Sequence, residues 1–443
     1  MSETMPAELD VWLHGVRVAT LREVRPRRLR LDYTDDAADA FRIGAPVLSV
    51  AMPLNTHRRY PPGIVDPWLE GLLPEGEART SIERTYGVLR GDAVGLLSAV
   101  GRDCAGAVVI QPPGQAPPST VGGLAAVALS PQDLADELGR LGHRPLGADR
   151  SVRVSLAGQQ PKLLLTRTSS GVWARPTADA PSTWILKPQD ERLPGMVRNE
   201  AACVTAGMLL GLGDIHVEVL DVAGRDVLAV ARYDRDVDAD GSVIRRHQED
   251  LSQALGLASH SDAKYQDAGE RAPSLRAAAE ILDTWAADAE AALIRLARGV
   301  AFNVAIGNAD AHAKNLSFLH RSDGTVELAP LYDVASTIHY PTLVGRLGPV
   351  PISRHLALRV GSATTLDAVS LDDLVAESQS WGMGRTMAHR VARSTLNAVV
   401  DAMEQAVERF GADPAISATV RARVEALLAG LPAGTHDPTR PGA

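Results

Sequence analysis

The feature that most restricts this chain is a polar loop set between two ordered stretches. Residues 276–305 form a long Ala-rich amphipathic pattern with a helical period, and Ile306-Gly307-Asn308-Ala309-Asp310-Ala311-His312-Ala313-Lys314-Asn315 comes directly after it. A strand-like run, Val326-Glu327-Leu328-Ala329, then leads to Leu331-Tyr332-Asp333. Asp310 and Asn315 make D-x-x-x-x-N, and Asp333 is a lone acid beyond the apolar run. Phosphoryl transfer from ATP needs such a set. One carboxylate orients the acceptor hydroxyl and takes its proton, while an amide oxygen and a second carboxylate hold the magnesium ions that bridge the phosphates. Both metal candidates are hard oxygens, as magnesium prefers. By spacing alone Asp310 is the base candidate, and Asn315 and Asp333 are the Mg2+ candidates. The same residues also suit a polar loop whose Asn and Asp side chains cap helices or make turns.

A chain of 443 residues can hold about two or three domains and a substantial core. With 45% hydrophobic and 22% charged residues it reads as an ordinary globular protein. The net charge of -9 argues against a nucleic-acid magnet and places any DNA contact on a partner. The only cysteines, Cys104 and Cys203, have no C-x-x-C spacing, which points to a reduced, cytoplasmic protein. No apolar run reaches the roughly 18 residues of a membrane span, and no secretory pattern opens the chain, so no membrane partner is expected. The 12 histidines are scattered and form no zinc pattern.

Residues 9–21 read as two alternating runs around a His14-Gly15 turn, a β-hairpin signal, and residues 28–33 and 48–54 add a third and a fourth run. Helical intervals come next over residues 65–86 and 91–100, then a strand over 108–110. Residues 111–123 are rich in Pro, Gly and Ser and form a connector. Ser130 followed by Pro131 is a capping residue before a first-turn proline, so residues 134–141 should be a short helix. Residues 151–156 and 161–165 read as two strands around the turn Ala157-Gly158-Gln159-Gln160. A hairpin of this kind can lay backbone N–H groups over phosphates, although with a single glycine an ordinary hairpin is the better-favoured reading.

Trp184-Ile185-Leu186-Lys187-Pro188 is a strand ending on a lysine, and Glu200 heads the helical run 201–210. A strand lysine held by a helix glutamate is how kinases contact ATP phosphates; an exposed strand-end lysine and a first-turn glutamate favouring the helix dipole are the plainer accounts. Residues 217–222 and 227–233 form a strand pair, the second bridging to the C-terminal half. From there the chain turns helical, with long amphipathic runs over 276–305, 385–410 and 414–428. The expected fold class is α+β, a bilobal kinase-like arrangement with a β-rich lobe, a helical lobe and ATP in the cleft. The tail from Pro432 is expected to be disordered.

Several motifs in one order carry a family likeness. They include Leu9-Asp10-Val11-Trp12-Leu13-His14-Gly15, Glu70-Gly71-Leu72-Leu73-Pro74-Glu75-Gly76, Gly101-Arg102-Asp103-Cys104-Ala105-Gly106-Ala107 and Ser155-Leu156-Ala157-Gly158-Gln159-Gln160-Pro161-Lys162. Further on come Ile185-Leu186-Lys187-Pro188, Asn199-Glu200, Gln248-Glu249-Asp250, Lys264-Tyr265, the loop 307–315 and Tyr332-Asp333-Val334. From about residue 9 to about residue 428 the chain resembles the HipA family of serine/threonine kinase toxins from bacterial toxin–antitoxin pairs. The resemblance implies an N-terminal subdomain over 1–110, a linker and short helix over 111–150, an ATP-binding lobe over 151–235, a catalytic lobe over 236–431 and a tail over 432–443.

It further implies ATP and Mg2+ as cofactors, with Ala157, Gly158, Gln159, Gln160, Pro161 and Lys162 covering the phosphates and Lys187 contacting them. Glu200 would partner Lys187, and Ala231, Arg232 and Tyr233 would line the base from the bridging strand. His312, Ala313, Lys314 and Asn315, with Tyr332, Asp333, Val334 and Ala335, would line the rest of the nucleotide. Asp310 would be the catalytic acid/base. The family usually has an acidic residue where Ala231 stands; its loss removes a hydrogen bond of about 0.5–1.5 kcal/mol and leaves the backbone able to pair with adenine. In similar proteins the serine at the position of Ser155 is autophosphorylated, adding about -1.5 to -2 charges beside the phosphate loop and switching the enzyme off. The implied partners are a small helix-turn-helix, HipB-like antitoxin carrying the DNA contacts and a protein substrate, in some relatives an aminoacyl-tRNA synthetase. A small-molecule kinase, or a non-catalytic co-repressor that only binds the antitoxin, are the alternatives.

Overall fold

Positive φ at two consecutive residues, His14 (49°) and Gly15 (80°), closes the first hairpin with the twist that antiparallel strands require. The computed structural model describes residues 8–116, 122–123, 125–141, 161–168, 170–177, 180–238, 241–257, 264–266, 272–345 and 348–436. Ser155 and the turn Ala157-Gly158-Gln159-Gln160 lie outside them. By internal contacts the chain divides into two compact units. The first gathers residues 1–187, 231–260 and 318–325, and the second 188–230, 261–317 and 326–443.

In the first unit, β1 (Glu8–Leu13), β2 (Val16–Arg25), β3 (Arg28–Tyr33), β4 (Arg59–Tyr60) and β5 (Val109–Gln111) pair antiparallel in the order β4-β3-β2-β1-β5. The alternation legible in the sequence turns Leu9, Val11, Leu13, Leu29, Leu31 and Tyr33 inward, and all six are buried. They share a core with Val65, Trp68 and Leu69 of α1 (Pro62–Gly71), Ile82 of α2 (Gly76–Tyr86) and Leu97 of α3 (Ala93–Val100). Two stretches differ from expectation. Residues 48–54 are not a strand: Met52 N bonds Ser49 O and Leu54 N bonds Ala45 O, so their alternation recorded the burial of Met52 and Leu54 rather than pairing. Residues 65–86 are two helices, because Pro74 in the connection cannot continue the first.

The helix α4 (Pro131–Arg140) starts on the expected cap, Ser130 Oγ accepting from Asp133 N at 3.1 Å while the Asp133 carboxylate accepts from Ser130 N at 3.1 Å. Next, β6 (Leu163–Arg167) pairs antiparallel with both β7 (Trp173–Pro176) and β8 (Trp184–Pro188). The strand His247–Asp250 is tied to the residues before α1 by a buried carboxylate. Glu249 Oε1 accepts from Val50 N at 2.8 Å and meets His320 Nε2 at 3.0 Å, and the other ring nitrogen of His320 lies 2.7 Å from Pro46 O. A carbonyl can only accept, so that nitrogen carries a proton.

Residues 101–106 are clasped by a buried ion cluster. Arg232 donates to Asp234 at 2.9 and 2.8 Å and to Ser182 Oγ at 2.8 Å. Arg235 donates to Asp103 at 2.9 Å, and both arginines reach Cys104 O at 3.0 Å. Asp103 also accepts from Ser182 N at 2.9 Å and Oγ at 2.6 Å, and Asp234 from Gly106 N at 2.7 Å. Burial alone would raise both acids. The facing guanidinium groups win, holding Asp103 far below the usual carboxylate range and Asp234 down to about 2.

The second unit contains α5 (Met196–Leu209), the hairpin β9 (Val217–Val222) and β10 (Arg225–Ala231), then α6 (Leu275–Trp285), α7 (Ala289–Ile306), α8 (Leu371–Ser380), α9 (Arg385–Phe410) and α10 (Pro414–Leu428). The amphipathic run 276–305 breaks once, where Asp288 accepts from Ala291 N at 2.9 Å and caps α7. The fully buried Arg423 of α10 donates to Val304 O at 3.2 and 3.1 Å, satisfying a carbonyl in the last turn of α7. Residues 432–436, placed by composition in a disordered tail, are docked instead. Ala433 is fully buried, Ala433 N bonds Val369 O at 2.8 Å, and Gly434 N bonds Asp367 O at 3.0 Å. Pro and Gly supply turns here rather than disorder.

Candidate active site

The polar loop begins where α7 stops at Gly307, whose φ of 71° is left-handed. A Cβ at Gly307 would fall 2.1 Å from Ile338 Cδ1, so the position requires glycine for space as well as for angle. Asp310 is held by its backbone on both sides. Its N–H donates to Asn308 Oδ1 at 3.1 Å, and its carbonyl accepts from His312 N at 2.8 Å and Asn315 Nδ2 at 3.0 Å. Asn308 is anchored through Nδ2 to Asn303 Oδ1 of α7 at 2.8 Å. Thr337 Oγ1 accepts from Ala309 N at 2.8 Å and donates to Gly307 O at 3.1 Å, so the loop is stitched to the segment after Asp333.

That segment is ordered by its own bonds. Tyr332 Oη donates to Lys314 O at 2.6 Å and lies 2.6 Å from Ser317 Oγ. Ser336 N donates to Asn199 Oδ1 at 2.9 Å, and Asn199 Nδ2 donates to Ser336 O at 3.1 Å, which fixes the stretch to α5. Asp333 is exposed with φ 54°, a left-handed conformation uncommon for a non-glycine residue. His312, Ala313, Val334 and Ala335 are buried, and Lys314, Asn315 and Tyr332 are half-buried.

The Asp310 side chain is 57% exposed, yet desolvation by the protein around it and the like charge of Asp333 raise its pKa to about 6, against the opposing pull of Lys264 and of Tyr265 Oη. Because the folded value is raised, folding favours the protonated acid. This contribution to stability is complete below about pH 3.9 and is lost as the pH climbs through about 6. One aspartate carboxyl of the metal-free protein is therefore expected to titrate near pH 6 in a carbon-13 NMR titration, and its signal should be missing from Asp310→Asn. Titration of every aspartate below pH 5 would refute this.

The donor set suits a hard divalent ion. Asn315 uses its amide nitrogen on Asp310 O, which leaves its oxygen as the ligating atom, and Asp333 offers an exposed carboxylate. Lys187, on β8 of the first unit, is 7% exposed; Glu200, on α5 of the second, is 6% exposed. Pro161 is exposed and Lys162 half-buried just before β6, and Ala231 ends β10 half-buried. The guanidinium of Arg232 is committed to the ion cluster and Tyr233 Oη donates to Gln248 Oε1, so both side chains are engaged within the first unit. Spacing alone does not single out Asn308, Thr337, Lys264 or Tyr265. Asn308 adjoins the motif and Lys264-Tyr265 belongs to the family likeness, but no spacing shows that residues 264, 265 and 337 return to the loop.

The HipA-like C-terminal domain matches residues 154–408, and the HipA N-terminal domain matches residues 9–111. "Putative kinase Y4mE" of Sinorhizobium fredii is 33% identical over 407 residues, 90% of this chain and 92% of that protein. The serine/threonine-protein kinase toxin HipA of Shewanella oneidensis is 30% identical over 287 residues, 62% of this chain and 63% of that one. Among solved structures, the Shewanella oneidensis complex of HipA, HipB and operator DNA contains a chain that matches with a TM-score of 0.78 at 24% identity, covering 95% of this chain and 97% of that chain. That likeness establishes the expected mixed α+β, kinase-like fold. No helix among the described residues is long and apolar enough to cross a membrane.

Proposed function

The chain belongs to the HipA family, whose named relatives are kinases, and from that premise we propose that it is an ATP- and Mg2+-dependent serine/threonine protein kinase acting as the toxin of a toxin–antitoxin pair. The observation that carries this reading is the loop itself: Asp310 stands on a backbone locked by Asn308, His312 and Asn315, and the segment that follows the exposed Asp333 is stitched to the loop through Thr337. Above about pH 6 the Asp310 carboxylate accepts the proton of a substrate hydroxyl while that oxygen attacks the γ-phosphorus of ATP and the bond to ADP breaks. Asn315 and Asp333 would hold Mg2+, which would supply positive charge against that of the phosphates. Lys187 would contact the phosphates, and Ala231, with the backbone of Arg232 and Tyr233, would pair with the base. Pro161 and Lys162 would face the phosphates, and Ser155, outside the described residues, is the proposed site of self-inhibition. The protein partner is a HipB-type antitoxin, a reading supported by the complex that the fold relative forms.

Labelled ATP with Mg2+ and cell lysate tests the reading. Label is expected in a protein band and, after incubation of the pure protein, as a phosphate mass on the peptide containing Ser155. Label in a small molecule alone would make it a small-molecule kinase, and no transfer at all would leave a co-repressor.

A further inference from the structure

Two residues from outside the catalytic loop reach into it. Ala313 N donates to Lys264 O at 3.1 Å, the Tyr265 ring meets the His312 ring edge-on with centroids 5.7 Å apart, and Tyr265 Oη donates to Asp310 Oδ1 at 3.4 Å. Gln266 fixes the tripeptide from behind. Its backbone N–H donates to Ala357 O at 2.9 Å and its side chain to Leu356 O at 2.9 Å, both on the strand His355–Val360. The Lys264 ammonium lies 5.4 Å from the centre of the Tyr265 ring and within electrostatic reach of Asp310.

We propose that Tyr265 and Lys264 are positioning residues for Asp310: the phenol aims one carboxylate oxygen and leaves the other for the substrate hydroxyl, and the ammonium offsets the repulsion between Asp310 and Asp333. The chemistry separates this role from a mechanical one. The mechanical contacts are made by the Lys264 carbonyl and by the face and edge of the Tyr265 ring, which need neither the ammonium nor the hydroxyl. The hydroxyl is surplus to the bracket and donates to the carboxylate, and the ammonium stands beside the same ring. A bond of 3.4 Å is long, as catalytic hydrogen bonds often are before substrate binds.

The proposal rests on the kinase reading, and its test separates the two. Tyr265→Phe keeps the ring and Lys264→Met keeps the carbonyl, so each should retain the wild-type melting temperature and KM for ATP. Each should lower kcat by about tenfold, the loss expected for one hydrogen bond or charge contact to an ionised group. Lys264→Arg should recover most of it. If wild type transfers phosphate and Asp310→Ala does not, while both variants keep the wild-type kcat, the positioning role is overturned and the kinase reading stands. If wild type transfers nothing, the kinase reading falls and the placement is judged by NMR. With carbon-13-labelled aspartate at fixed pH 8, the Asp310 carboxyl resonance is expected to move in both variants, and an unmoved resonance overturns the proposal.

Discussion

Asp310→Ala is expected to lower phosphoryl transfer by about 10² to 10⁴ fold, the usual worth of a positioned general base. The loss should be confined to turnover, because what Asp310 contributes to the loop is made by its backbone. The bonds from Asn315 Nδ2 and His312 N to its carbonyl, and from its N–H to Asn308, survive truncation to alanine. Removing the carboxylate also relieves its repulsion with Asp333, so the melting temperature should hold or rise slightly. Turnover with saturating ATP and thermal unfolding by circular dichroism check the two halves. Full activity in the variant would remove Asp310 from the mechanism, and a large fall in melting temperature would mean that its side chain holds the loop after all.

Asp103→Ala should cost about 3–5 kcal/mol of stability, the penalty for removing one partner from a buried ion cluster. Truncation leaves Arg232, Arg235 and Arg245 facing one another without their shared carboxylate, and deprives Ser182 N and Oγ of their acceptor. Asp103→Asn, which keeps an acceptor oxygen, should cost less. Because the folded pKa values of Asp103 and Asp234 are both depressed, their stabilisation is complete above the unfolded value of about 3.9. It is lost as the pH falls, for Asp234 through about 2. Denaturant unfolding at pH 7 and pH 3 measures both effects. A change in stability below about 1 kcal/mol at pH 7 would show that the cluster is solvated or relaxes on truncation.

Much of the architecture was legible because it is written in short-range chemistry. The His14-Gly15 turn, the Ser130 cap, and the long helices over 385–410 and 414–428 depend on neighbours a few residues away, and the structure returns them where the pattern placed them. The misreadings share a cause. Residues 48–54 and 432–436 are buried by distant contacts while their backbones bond locally, so neither alternation nor composition could report their state. In the candidate site, Asp310, Asn315 and Asp333 were visible as a spacing, and the structure brings Asp310 and Asn315 together directly. Tyr265 was visible only as part of a family motif with no role attached, and Thr337 carries no mark, since a threonine far along the chain belongs to no periodic pattern. Arg232 shows the converse. Its motif was readable, but only the fold reveals that its guanidinium is turned into the ion cluster with Asp234.

The first unit is assembled from three separated segments, and its last, residues 318–325, comes after more than fifty residues that belong to the other unit. During synthesis it therefore cannot close until residue 325 has left the ribosome. Until then Glu249 waits without His320, the ring that faces it in the finished protein. Nascent chains stalled before residue 318 should leave the strand His247–Asp250 more sensitive to protease than in the finished protein.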